Sequence, residues 1–126
     1  MRILNMNLAS RTYPIRIGSD LLKEPQLSTF VSGSQVLIVT NETVAPLYLI
    51  HVQQALAAFD TAVVVLPDGE VYKTMQTLDL IHTEALRHNF SRNATFVALG
   101  GGVVGDMAGF AAATYQRGVP FVQIPT

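Results

Sequence analysis

Four glycines crowd the stretch Ala98-Leu99-Gly100-Gly101-Gly102-Val103-Val104-Gly105-Asp106, between an apolar run with strand character (residues 95–99) and one with helical character (residues 104–115). Glycine at such a junction permits positive φ and removes the Cβ that would hold a ligand away. Backbone N–H groups and the positive end of the following helix then face outward, which is the chemistry of a phosphate-binding turn. Gly100, Gly102 and Gly105 satisfy G-x-G-x-x-G. The acidic residue that the dinucleotide fingerprint places about 20 residues later is missing, since Asp106 is the last carboxylate side chain. The alternative is a tight turn whose glycines serve packing alone, with Gly105 and Gly109 giving the helix a small-residue face.

Periodicity around this turn predicts an α/β domain. Residues 2–8 and 12–17 read as two strands of a hairpin joined through Ala9, Ser10 and Arg11, followed by a weakly helical or irregular segment over residues 20–30. Residues 35–40 (QVLIVT), 62–66 (AVVVL), 95–99 and 119–124 are β-branched or apolar runs suited to strands covered on both faces. Between them lie three helical patterns. The first is expected to be capped by Asn41, with Pro46 in an early turn, and to run to Ala58. The second is expected to be capped by Thr74, with Met75, Leu78, Ile81 and Ala85 on one face and Gln76, Asp79, Glu84 and Arg87 away from it, ending at His88 and Asn89. The third is the glycine-led helix. Strands alternating with helices imply a Rossmann-like parallel sheet with ligands gathered beyond the strands' carboxyl ends, where Asn41, Thr43, residues 68–73, the glycine turn and Thr126 all fall.

The 126 residues suffice for one domain. Charged residues are 13% of the chain, against about 25% in ordinary soluble domains. The deficit is local: from Asn93 to Thr126 only Asp106 and Arg117 carry charge, and residues 107–115 (MAGFAAATY) are apolar around nearly the whole helical circumference. Such a helix is expected to be buried on all sides, by a second domain or a partner subunit. A net charge of −1 offers no field for nucleic acid, no run approaches a membrane span, and no secretory signal opens the chain, which leaves a cytoplasmic location as the expectation. With no cysteine, disulfides and thiolate metal sites are excluded.

Within the 68–73 loop, Asp68-Gly69-Glu70 has β-turn chemistry, while Glu70 can accept from ribose hydroxyls and Lys73 can meet a phosphate as a point charge. Asp106 complements the helix dipole; its charge would oppose an adjacent phosphate, so a ribose hydroxyl is its better partner. Arg117 is either a solvated loop cation or the partner of an anion or an interface carboxylate. His51, His82 and His88 lack paired metal-ligand spacing, and no nucleophile–base pair is legible.

NETVAPLYL at residues 41–49, LPDGEVYK at 66–73, the opening SRTYPIRIGSDLL, and above all ALGGGVVGDMAGFAAATYQRGVPFVQIPT at 98–126 resemble the amino-terminal part of the 3-dehydroquinate synthase family over the whole chain. Val71 departs from the family's usual glutamine, and Pro120 stands where arginine is frequent. The resemblance implies an NAD-binding domain spanning residues 1–126, without the family's helical metal and substrate domain. Asn41, Thr43, Asp68, Gly69, Glu70, Val71, Tyr72, Lys73, Gly101, Gly102, Val103, Val104, Gly105, Asp106 and Thr126 would contact the dinucleotide. It also implies a homodimer in which Arg117 reaches a phosphorylated sugar-acid substrate across the interface, and a divalent metal, zinc or cobalt, bound downstream. No catalytic or metal-ligating residue is assigned to this chain, which is expected to be inactive alone. The alternatives are a related sugar-phosphate cyclase or a non-catalytic, self-associating nucleotide-binding module.

Overall fold

The structure, a computed structural model, describes residues 2–9, 12–23 and 27–126. Ser10 and Arg11 of the expected hairpin connection, and positions 24–26 of the expected irregular segment, lie outside the described residues.

β1 (Arg2–Met6) and β2 (Tyr13–Ile17) pair antiparallel, Leu4 opposite Ile15 and Met6 opposite Tyr13. Both strands are shorter than their apolar runs suggest. Arg16 on the other face of this ribbon stacks over Phe30, 4.7 Å from the ring centre. Two short 3-10 turns, Leu21–Lys23 and Leu27–Phe30, lie in the segment expected to be weakly helical or irregular.

The rest alternates as expected: β3 (Gln35–Asn41), α1 (Ala45–Ala55), β4 (Asp60–Leu66), α2 (Met75–Arg87), β5 (Ala94–Gly100), α3 (Gly102–Thr114) and β6 (Phe121–Pro125). The four strands form one parallel sheet in the order β4-β3-β5-β6. From β3 the chain steps outward to β4, then crosses back to β5, so the winding reverses between β3 and β5. That is the switch point beside which ligands of open α/β sheets bind.

Strand alternation divides the core in two. Leu37, Val39, Ala62, Val64, Leu66, Phe96 and Ala98 pack under α2 and α3, against Leu78, Ile81, Ala85, Val104, Met107, Ala108 and Ala111. Val36, Ile38, Val97 and Leu99 face α1 through Val52 and Leu56, with Leu27 beside them. β5 is buried along its whole length, because it lies between two strands and beneath helices on both faces.

Two expectations need correction. α1 begins at Ala45, not directly after Asn41, because the Asn41 side chain caps a turn ahead of the helix: its Oδ1 accepts from the N–H groups of Thr43 and Val44 at 3.1 and 2.8 Å. Met75 is 70% exposed although it shares helical spacing with buried Leu78 and Ile81. Within this chain α3 is covered on one side, where Met107, Ala108, Ala111 and Ala112 are buried, while Phe110 is 54% exposed on the side that the expectation gives to a second domain or a partner subunit. The Thr74 cap is as expected, its hydroxyl accepting from Thr77 N–H at 3.2 Å.

Candidate functional site

The strands end level. Asn41 pairs with Leu66 and Gly100 with Pro125, while Val39 opposite Ala98 sets β3 and β5 in the same register. The segments leaving these ends therefore share one edge: the turn after Asn41, the loop after Leu66, the glycine turn and Thr126. The edge is knit by main-chain bonds from Glu42 N–H to Leu66 C=O (3.0 Å) and Thr126 N–H to Gly100 C=O (3.3 Å).

At the glycine turn the fingerprint positions divide their work. Gly100 has φ +156°, and a Cβ there would stand 2.9 Å from a Val104 methyl carbon, so the fold itself requires glycine. A Cβ on Gly105 would run into the Gln123 side-chain amide, which lets α3 lie close over β6. Gly101 and Gly102 are different: a Cβ on either would meet nothing within 4 Å, and neither has positive φ. Nothing among the described residues demands glycine at these two positions. Their missing side chains leave room outside the protein, in front of the helix start. The first bond of α3 runs from Gly105 N–H to Gly101 C=O at 2.9 Å, so the N–H groups of Gly102, Val103 and Val104 precede the helical ladder. These amides and the helix dipole form a cradle that a phosphate group fits and that two Cβ atoms would fill.

Across from it, Glu70–Tyr72 form a single 3-10 turn, after which Lys73 reaches α3: its Nζ lies 2.7 Å from Asp106 Oδ2 and 3.8 Å from Glu70 Oε1. The hydrogen bond and charge of Asp106 push the lysine pKa above 10.5, with Glu70 adding a smaller effect in the same direction. Lys73, whose charge can meet a phosphate, has its ammonium occupied by Asp106, but both side chains are substantially exposed, so a ligand can compete for either.

The third part of the edge joins residues far apart in sequence. Asn41 Nδ2 donates to Asp68 Oδ1 at 3.3 Å, Thr43 Oγ1 donates to Asp68 Oδ2 at 2.6 Å, and Asp68 N–H donates to Glu42 Oε1 at 3.2 Å. Sequence reading placed Asn41, Thr43 and Asp68 on this edge but not their mutual bonds, nor any role for Glu42. The available signal was an Asn-x-Thr leaving one strand and an Asp-Gly leaving its parallel neighbour at the same level.

Arg117 is not brought here. α3 starts at the glycine turn and spans 13 residues, so its far end lies about 20 Å away at the opposite edge. There Tyr115, buried, donates its hydroxyl to the Phe90 carbonyl, and Gln116 and Arg117 take positive φ before Gly118 reverses the chain. A concavity of about 380 Å³ opens beside the Lys73–Asp106 pair, floored by Met75, Leu78, Met107 and Phe110. Among the described residues no three His, Asp or Glu side chains converge to hold a metal ion, and no helix is long and apolar enough to cross a membrane.

The sequence profile of the family described as "3-dehydroquinate synthase N-terminal" matches residues 63–126, just over half the chain and inclusive of β5, the glycine turn and α3. The chain belongs to this family. Curated 3-dehydroquinate synthases of Ruthia magnifica subsp. Calyptogena magnifica and Shewanella frigidimarina are 60% and 52% identical to it, each across the whole chain. The chain spans about a third of their length, 35% and 36%. Among solved structures, a 2-deoxy-scyllo-inosose synthase complexed with carbaglucose-6-phosphate, NAD+ and Co2+ superposes with a TM-score of 0.89 at 22% identity, over 99% of this chain and 35% of that one. It shares the fold. ValA, the 2-epi-5-epi-valiolone synthase of Streptomyces hygroscopicus subsp. jinggangensis 5008 with NAD+ and Zn2+ bound, superposes at 0.74 with 30% identity, over 91% of this chain and 34% of that one.

Proposed function

We propose that residues 1–126 are the NAD-binding domain of a 3-dehydroquinate synthase, with the dinucleotide's pyrophosphate lying over the amides of Gly101, Gly102, Val103 and Val104. One observation carries this reading: Gly101 and Gly102 lack side chains for no reason internal to the fold, directly before a helix start at the switch edge. Glu70, Lys73, Asp106 and Thr126 line the same edge, and Asn41, Thr43 and Asp68 form its outer wall. Asp106 and Glu70 suit ribose hydroxyls, while Lys73 balances the charge between them.

The parent's reaction converts 3-deoxy-D-arabino-heptulosonate 7-phosphate to 3-dehydroquinate and phosphate. When bound, NAD supplies transient oxidation of a substrate carbinol, which acidifies the neighbouring C–H for phosphate elimination. The residues present hold and orient the dinucleotide. Among the described residues no three His, Asp or Glu side chains converge on a divalent metal, and we place that ion, zinc or cobalt, with the rest of the parent enzyme. Arg117, at the opposite end of α3, cannot serve this chain's own edge, which favours its use across the two-fold of a cytoplasmic homodimer. The identities of 52–60% to 3-dehydroquinate synthases, against 30% to the valiolone synthase, favour this substrate over those of related cyclases.

Calorimetric titration with NAD and a phosphate-release assay test the reading together. Weak NAD binding without turnover is expected, and Gly102→Ala should weaken binding roughly tenfold while leaving unfolding free energy within about 1 kcal/mol. Turnover by the chain alone, or an alanine at position 102 that binds NAD as well as glycine, would overturn it.

A further inference from the structure

We propose that Asp68 is a positioning residue: it ties the turn after β3 to the loop after β4, and thereby presents Glu70 and Lys73 to the cofactor edge. The functional consequence rests on the NAD reading above, while the tie itself is a matter of geometry. Both carboxylate oxygens of Asp68 are engaged within the chain, by Asn41 Nδ2 and by the Thr43 hydroxyl. The orientation of the Asn41 amide is fixed, because its Oδ1 accepts two main-chain N–H groups and its Nδ2 is left to face Asp68. Asp68 N–H is held in turn by Glu42 Oε1, and Glu42 N–H by the Leu66 carbonyl.

Immediately after this tie the chain passes through Gly69, at φ +134°, into the turn closed by Tyr72 N–H to Gly69 C=O (3.1 Å) and Lys73 N–H to Glu70 C=O (3.0 Å). The Thr74 cap fixes the far end of the loop. Asp68 fixes the near end. Without its carboxylate the near end of the 3-10 turn that carries Glu70 and Lys73 keeps only the bond from the main-chain N–H at position 68 to Glu42.

The test uses Asn41→Asp and the exchange Asn41→Asp with Asp68→Asn. An aspartate at 41 still accepts from Thr43 and Val44 but sets a carboxylate against Asp68; the double substitution restores the pair with donor and acceptor reversed. Two readouts are taken on the chain, NAD affinity by calorimetry and hydrogen exchange at the amides of Tyr72, Lys73 and Thr74, with the β3 amides as a control for folding. For Asn41→Asp, faster exchange in the loop, unchanged β3 protection and roughly tenfold weaker NAD binding are expected. The double variant should return both readouts to within about twofold of the starting chain. Unchanged loop exchange in Asn41→Asp would overturn the tie. Recovery of loop protection without recovery of NAD affinity would also overturn the proposal, because the Asn41 amide or the Asp68 carboxylate would then be acting on the ligand directly rather than through the loop. Failure of the unaltered chain to bind NAD would defeat the cofactor reading, with the exchange measurement still deciding the tie.

Discussion

Lys73 sits between two carboxylates, and the protonated form is favoured first by its hydrogen bond to Asp106, then by the charges of Asp106 and Glu70. A lysine whose pKa is raised contributes its stabilisation fully below the unfolded value and loses it as pH climbs through the folded one. The Lys73 half of the bridge is therefore kept up to about pH 10.5 and lost above it. Replacing Asp106 by Asn should bring the Lys73 titration back down toward 10.5, as followed by NMR of the lysine side chain; an unmoved titration would show that Asp106 does not hold it. Both side chains are exposed, so the substitution should change stability little. At this scale the glycine turn was legible in the sequence because its signal is contiguous. The Lys73–Asp106 and Asn41–Asp68 partnerships were not, since they span 33 and 27 residues and exist only once the strands are in register.

α2 shows how far a periodic pattern carries and where it stops. Spacing puts Met75, Leu78, Ile81 and Ala85 on one face, and the last three are buried against β4 and α3. Met75 is not, because α2 runs back against the strands, so its first turn overhangs the carboxyl edge where the sheet has already ended. Ile81→Ala should therefore cost about 2–4 kcal/mol in urea unfolding, while Met75→Ala should cost under about 0.5. Equal costs would mean that the sheet extends under the first turn of α2. Gly105 and Gly109 of α3 form the expected small-residue face, lying against Gln123 and Phe121 of β6, while Phe110 lies exposed on the side where a second domain or a partner subunit is expected: composition records that a helix is apolar but not which neighbours cover it.

For the whole molecule, alternation of apolar runs with amphipathic ones was enough to predict a parallel sheet with helices on both faces. The order β4-β3-β5-β6 was not, since it depends on which side of β3 each crossover returns to. The hairpin turns Leu4, Met6, Tyr13 and Ile15 to one face, each at least 36% exposed, while Arg16 on its other face meets Phe30. An apolar face of this kind favours self-association. Sedimentation velocity should show mass rising with concentration, and Leu4→Glu with Ile15→Lys should hold the chain monomeric; a monomer at every concentration without those changes would contradict a homodimer built on this surface. The proposed NAD site depends most on the amides at the helix start. Its most direct measurement is the NMR amide spectrum of the chain titrated with NAD: the N–H signals of Gly101, Gly102, Val103 and Val104 should shift with a common saturation curve, and signals that stay fixed there while others move, or while none does, would contradict it.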